Sequence, residues 1–155
     1  AALASAGEVP AASYASFNVR NNRVVLEFDA TAQETVFFTG YMPRSYAGGG
    51  ITVQLHWMAA TATAGTIGWD VSIERVSDSA TDLDSDSFAT AQTVNAVEVN
   101  ATSGVPSTGS AAFTNGSQMD NVVAGDLFRL RVRRDVATDT AAGDAQLLGI
   151  EVRES

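Results

Sequence analysis

From Leu127 to Arg134 apolar and cationic side chains alternate, with Phe128, Leu130 and Val132 on one side and Arg129, Arg131 and Arg133 on the other. A strand turns successive side chains to opposite faces, so this period of two describes a sheet with one face buried and one exposed. The same period recurs along most of the chain. Arg23 to Asp29 sets Val24, Leu26 and Phe28 against Arg23, Val25 and Glu27. Ile51 to Met58 sets Ile51, Val53, Leu55 and Trp57 against Thr52, Gln54, His56 and Met58. Ile67 to Val76 turns Ile67, Trp69, Val71 and Ile73 inward and Asp70, Ser72 and Glu74 outward. Glu34 to Thr39, Thr93 to Asn100 and Ala111 to Thr114 add shorter strands, and Gln146 to Arg153 closes the set with Leu148, Ile150 and Val152 inward.

No segment carries a 3.6-residue apolar stripe over several turns, and no repeat of 20 to 50 residues is present. Gly, Asp, Asn and Ser separate the strands, as at Gly104-Val105-Pro106 and Asn115-Gly116. About eight short strands with such turns predict an all-β chain, a jelly-roll-like antiparallel β-sandwich of two four-stranded sheets. An immunoglobulin-like sandwich is the alternative, because alternation does not encode strand order. At 155 residues the chain is one domain, expected over residues 14–155. Ala1 to Ser13 is expected to be a flexible arm that orders on a neighbouring subunit. Its start fits removal of an initiator Met and lacks the basic start and long apolar core of a signal peptide.

Nine cationic side chains, all Arg, face eighteen carboxylates for a formal charge of −9, a field that repels nucleic acid and anionic membrane. No run approaches the roughly 20 apolar residues of a membrane span. The absence of Cys and Lys removes thiolate nucleophiles, Cys-based metal sites, Schiff bases and the P-loop lysine. One His cannot build a multi-histidine cage. His56 is the only base for a Ser-His-Asp site, and no Gly-x-Ser-x-Gly elbow accompanies it. Glu27, Glu74, Glu98 and Glu151 supply outward carboxylates for a glycosidase pair, though chance pairs are expected among eighteen acids. No enzyme activity and no cofactor are expected.

Asp82, Asp84 and Asp86 open like a calcium loop, but Ser87 stands where the turn glycine belongs and Thr93 where the bidentate Glu belongs. Such Asp and Ser side chains more often cap backbone amides, which leaves these aspartates a weak metal candidate. Arg129, Arg131 and Arg133 recur about 7 Å apart along one strand face. They need either cross-strand acids such as Asp70, Glu74 or Glu151, or a partner surface. Tyr41, Arg44 and Tyr46 sit in a Gly-rich loop suited to gripping a sugar or a protein neighbour.

Phe37 to Trp57 (FFTGYMPRSYAGGGITVQLHW), Trp69 to Arg75, Asp84 to Phe88, Ala124 to Arg131, Asp139-Thr140 and Gly149 to Arg153 together resemble a group of small virion proteins of tailed bacteriophages. The resemblance covers about Val24 to Glu154. By size and inferred sandwich the chain is also similar to capsid decoration (cement) proteins, commonly jelly-roll trimers over shell junctions. That resemblance implies a non-enzymatic homotrimer on the capsid exterior, assembled in the bacterial cytoplasm and bridging major capsid protein subunits. Tyr41, Arg44, Tyr46, Arg129, Arg131 and Arg133 are then the candidate contacts, with outward Val25, Phe37, Met58 and Leu127 available for threefold packing. The alternative is a carbohydrate-binding module on a virion appendage that touches the host surface, using Tyr41, Tyr46 and the Asp82 to Asp86 loop.

Overall fold

The structure, a computed structural model, describes all 155 residues. Ten strands run in the order β1 (Ala2–Leu3), β2 (Ser16–Arg20), β3 (Arg23–Phe28), β4 (Thr35–Tyr41), β5 (Ile51–Ala59), β6 (Thr66–Val76), β7 (Gln92–Glu98), β8 (Ser107–Phe113), β9 (Leu127–Arg134) and β10 (Ala145–Glu154). One sheet has the order β2-β3-β10-β5-β8, with β1 also on β10, and the other has the order β4-β9-β6-β7. Every strand pairing within the two sheets is antiparallel. From β3 onward the first strand pairs the last, the second the seventh, the third the sixth and the fourth the fifth. One long hairpin rolled up on itself produces this pattern, and it is the strand order of a jelly roll.

Alternation explains the core. Leu26, Phe28, Val53, Leu55, Trp57, Trp69, Val71, Leu130 and Val132 are all fully or almost fully buried between the sheets. Phe28 meets Trp69 edge-on with centroids 4.9 Å apart, and Trp57 lies 6.3 Å from Trp69. Such aromatic pairs each add about 0.5–1.5 kcal/mol beyond burial.

Three details depart from the sequence expectation. In β10 a bulge places two residues, Leu148 and Gly149, where β5 has His56 alone. The bulge shifts the alternation, so Leu147 and Ile150 face the core while Leu148 lies on the outer side beside Met58. Gly149 is needed there because a Cβ would stand 2.7 Å from the Ala2 carbonyl oxygen. Second, β2 forms a hairpin with β3 through Asn21 and Asn22, both at positive φ (48° and 63°) as a type I′ turn requires.

Third, Ala1 to Ser13 is laced to its own domain. Ala2 and Leu3 pair with Ile150 and Gly149 of β10, Ala4 is buried in the core, and Glu8 exchanges backbone hydrogen bonds with Phe37 of β4. The segment therefore crosses from one sheet to the other at the side where β3 and β4 diverge. Gly7 fits only because it lacks a side chain, since a Cβ would lie 2.8 Å from both Leu26 and Val36.

Candidate functional site

The outward face of the β4-β9-β6-β7 sheet holds the arginine row. Arg133 donates from Nε and Nη2 to both oxygens of Asp70, at 2.9 and 3.0 Å, and Arg129 donates to Glu74 at 3.2 Å. These are cross-strand neighbours in register, so the sheet supplies the acids for two of the three cations. Glu151, on the other sheet, takes no part in the row. Burial outweighs the attraction of Arg129 and lifts the Glu74 carboxyl above its ordinary range. Arg131 faces Ser72 instead of an acid, and its Nε and the Ser72 hydroxyl are both buried without a partner. Burial, with Arg133 beside it, lowers the Arg131 pKa.

The segment between β6 and β7 explains that burial. Ala89 donates to the Ile73 carbonyl at 2.8 Å, and Phe88 stacks on Phe37 with centroids 5.5 Å apart. The Arg129 guanidinium lies 4.3 Å from the Phe37 ring, and that of Arg131 lies 4.9 Å from the Phe88 ring. Arg129 and Arg133, expected as contacts with another chain, are thus engaged within their own sheet, and Phe37 is not free for threefold packing. On the opposite sheet Val25 and Met58 are buried as well, Met58 near the loop that carries Ser103, Gly104 and Pro106.

Asp82, Asp84 and Asp86 lie exposed at the turn of the same segment. Asp82 accepts from the Asp84 amide through its side chain and from the Asp86 amide through its carbonyl. The three carboxylates do not converge, and no group of three metal-capable side chains is gathered anywhere in the chain. His56 sits on the outward face of β5 across from Thr108 and Gly149. Glu27 and Glu151 belong to one sheet and Glu74 and Glu98 to the other, so the four outward glutamates never form one group.

The Gly-rich loop after β4 divides its candidates. Tyr46 turns inward and is buried, its hydroxyl donating to the Gly49 carbonyl with Asn115 and Met119 beside it. Burial and the Glu154 carboxylate raise the pKa of this phenol. It anchors the loop and is closed to any partner. Tyr41 and Arg44 remain outside, and Tyr41 is 74% exposed, the most exposed large aromatic of the chain. Tyr41 borders a cleft of about 280 Å³ at the open end between the two sheets, where Phe38, Met42, Pro43, Phe128 and Val152 form apolar walls. Met42 is fixed there by backbone hydrogen bonds to Gly125 and Asp126.

No family model and no curated protein match this sequence. Solved structures do match in shape. The CBM22-2 xylan-binding domain of Paenibacillus barcinonensis Xyn10C superposes with a TM-score of 0.54 over 97% of this chain and 92% of that one, at 10% identity. A carbohydrate-binding module specific for non-crystalline cellulose, CBM28, superposes with a TM-score of 0.49 over 97% and 89%, at 9% identity. At 10% identity the first likeness is one of fold, a β-sandwich.

Sequence reasoning missed two features. Arg134, on the inward face at the end of β9, is wholly buried. It pairs with Asp139 at 2.6 Å and donates to the carbonyls of Ala141 and Gly143, which ties the loop before β10 to the sandwich. The other is the β2–β3 hairpin. Phe17 and Val19 are 49% and 63% exposed, and they share a face with Val24 because they pair with Leu26 and Val24.

Proposed function

We propose that this chain is a non-catalytic recognition module that binds a saccharide at the open end of the sandwich, with Tyr41 as the stacking platform. The observation that carries this reading is the exposed Tyr41 ring beside the apolar cleft. The C–H face of a pyranose packs on an aromatic ring while its hydroxyls seek polar neighbours, and Tyr offers both a flat apolar body and a polar tip. Arg44, exposed in the same loop, supplies donors for sugar hydroxyls or a sugar carboxylate. The shared fold of a xylan-binding domain supports the reading. The phage resemblance of the sequence suggests a virion appendage facing the host surface as the setting.

Glycan-array screening followed by calorimetry tests it. The expected result is saturable micromolar-to-millimolar binding that Tyr41→Ala weakens by more than tenfold with an unchanged thermal midpoint. Binding indifferent to Tyr41→Ala defeats the assignment.

A second reading, a decoration protein bridging major capsid protein subunits as a homotrimer, draws on the same phage resemblance. The exposed Phe17, Val19 and Val24 favour it as apolar contact surface. Purified chain added to capsids lacking it should then bind stoichiometrically, whereas a chain that ignores such shells excludes this reading.

A further inference from the structure

We infer that the free edge of β2 is a self-association surface, on which a second copy of this chain adds its own β2 antiparallel about a twofold axis through Asn18. The inference is independent of saccharide binding. β2 is the outermost strand of its sheet and is exposed along nearly its whole length. In a hairpin closed by a two-residue turn, Arg20 and Arg23 form the hydrogen-bonded pair next to the turn, so Asn18 and Ser16 also direct their backbone groups toward β3. Phe17 and Val19 direct theirs outward. The Val19 amide is occupied by the Asn18 side-chain oxygen at 2.8 Å, a local cap that a partner strand can displace. Unpaired edges of this kind are templates for strand addition.

Two properties of the hairpin select a second copy as the occupant. The first is its apolar face. Val24, Val19 and Phe17 continue the face of buried Leu26 beyond the edge of the sandwich. A twofold through Asn18 sets Phe17 of one copy opposite Val19 of the other, so the two stripes join across the boundary, an isologous contact.

The second is charge. The turn end carries Arg20 and Arg23, and neither forms an ion pair. Arg20 is held by the Ala59 carbonyl and Gln146, and Arg23 is exposed. The other end carries Glu27 and Asp29, with Glu34 and Asp144 close enough that the acids repel one another. Antiparallel pairing lays the basic end of each copy along the acidic end of the other. Adjacent strands lie about 4.8 Å apart, so Arg23 and Glu27 of the second copy stand about 14 Å apart between Cα atoms, with long side chains to shorten the gap. Parallel stacking of the same edges would instead oppose like charges.

Sedimentation equilibrium and native mass spectrometry of the full chain test this. The expected species has twice the 16.1 kDa chain mass, and its dissociation constant rises at least tenfold when salt is increased from low ionic strength to about 0.5 M. Val19→Lys, at an already exposed position, should abolish the dimer while leaving the circular dichroism and thermal midpoint unchanged. Arg23→Glu should weaken it at low salt only, and Asn18→Ala, which removes the cap on the Val19 amide, should strengthen it. A chain that stays monomeric to millimolar concentration overturns the inference. So does an oligomer of any size, a trimer included, that survives Val19→Lys.

Discussion

Replacing Arg134 by Met removes the one cation buried between the sheets and keeps most of its apolar volume. The guanidinium is wholly shielded from solvent and bonds to Asp139 at 2.6 Å, Gly143 at 2.7 Å and Ala141 at 3.0 Å. The Asp139 side chain is itself only 3% exposed and Ala141 is buried, so the substitution strands a carboxylate and the Ala141 carbonyl away from water, while the Gly143 carbonyl belongs to an exposed residue. Breaking one side of a buried pair costs about 3–5 kcal/mol. For a domain of this size each kcal/mol lowers the melting temperature by about 2–4 °C, giving a drop of about 6–20 °C. Calorimetry and urea unfolding measure it. Removing both charges, in Arg134→Met with Asp139→Leu, should recover a large part of the loss, because the stranded carboxylate is the major penalty and the carbonyl the minor one. A single variant that loses less than about 1 kcal/mol, or a double variant no better than the single, shows that Arg134 and Asp139 do not form a mutually dependent buried pair.

Further outcomes follow from the same packing. Gly7→Ala forces a Cβ to within 2.8 Å of Leu26 and Val36 and should cost about 1–3 kcal/mol by overpacking, read as a lower thermal midpoint. Phe88→Ala removes the ring that stacks on Phe37 and lies over Arg131, so limited proteolysis between Asp78 and Ser87 should accelerate severalfold while the sandwich stays folded. Asp144 is pushed above its ordinary value, first by burial and then by Glu27 and Asp29, and burial and the same acids raise Glu34. A carboxyl with a raised folded-state pKa binds more protons folded than unfolded. Stability is therefore lost as pH rises from the unfolded value near 4 through the higher folded one. Asp144→Asn should stabilise the protein at pH 7 by about 0.5 kcal/mol after solvent screening and flatten the pH dependence in that window. An unchanged pH profile counts against mutual repulsion among these acids.

The alternation of β3, β5, β6 and β9 was enough to place their inward faces, because burial of one sheet face leaves a period that sequence shows directly. The same logic puts Arg134 inward, two residues after Val132. What sequence does not show is that Asp139, in an irregular loop, arrives to neutralise it. β2 escaped notice because it is five residues long and its turn uses Asn21-Asn22 with no glycine, a weaker signal for positive φ than Asn-Gly. Alternation places Leu148 in the core, but a bulge shifts the period by one residue, and the close approach of Ala2 to Gly149 beside it is a tertiary contact that alternation does not carry. Within the Gly-rich loop two tyrosines five residues apart have the same chemistry, and only the fold assigns Tyr46 to anchoring and leaves Tyr41 outside. The arginine row was legible as a question whose answer depended on register: Asp70 and Glu74 face Arg133 and Arg129, and Ser72 faces Arg131.

Saccharide recognition by this chain depends first on Tyr41. Calorimetric titration of the intact chain with soluble xylan and glucan oligosaccharides, alongside acidic glycans from the array, should give a saturable isotherm. Tyr41→Ala should weaken it by more than tenfold, and Tyr41→Phe should retain most of it because the stacking face is kept. Full-strength binding by Tyr41→Ala, or no binding to any glycan by a correctly folded chain, contradicts the account.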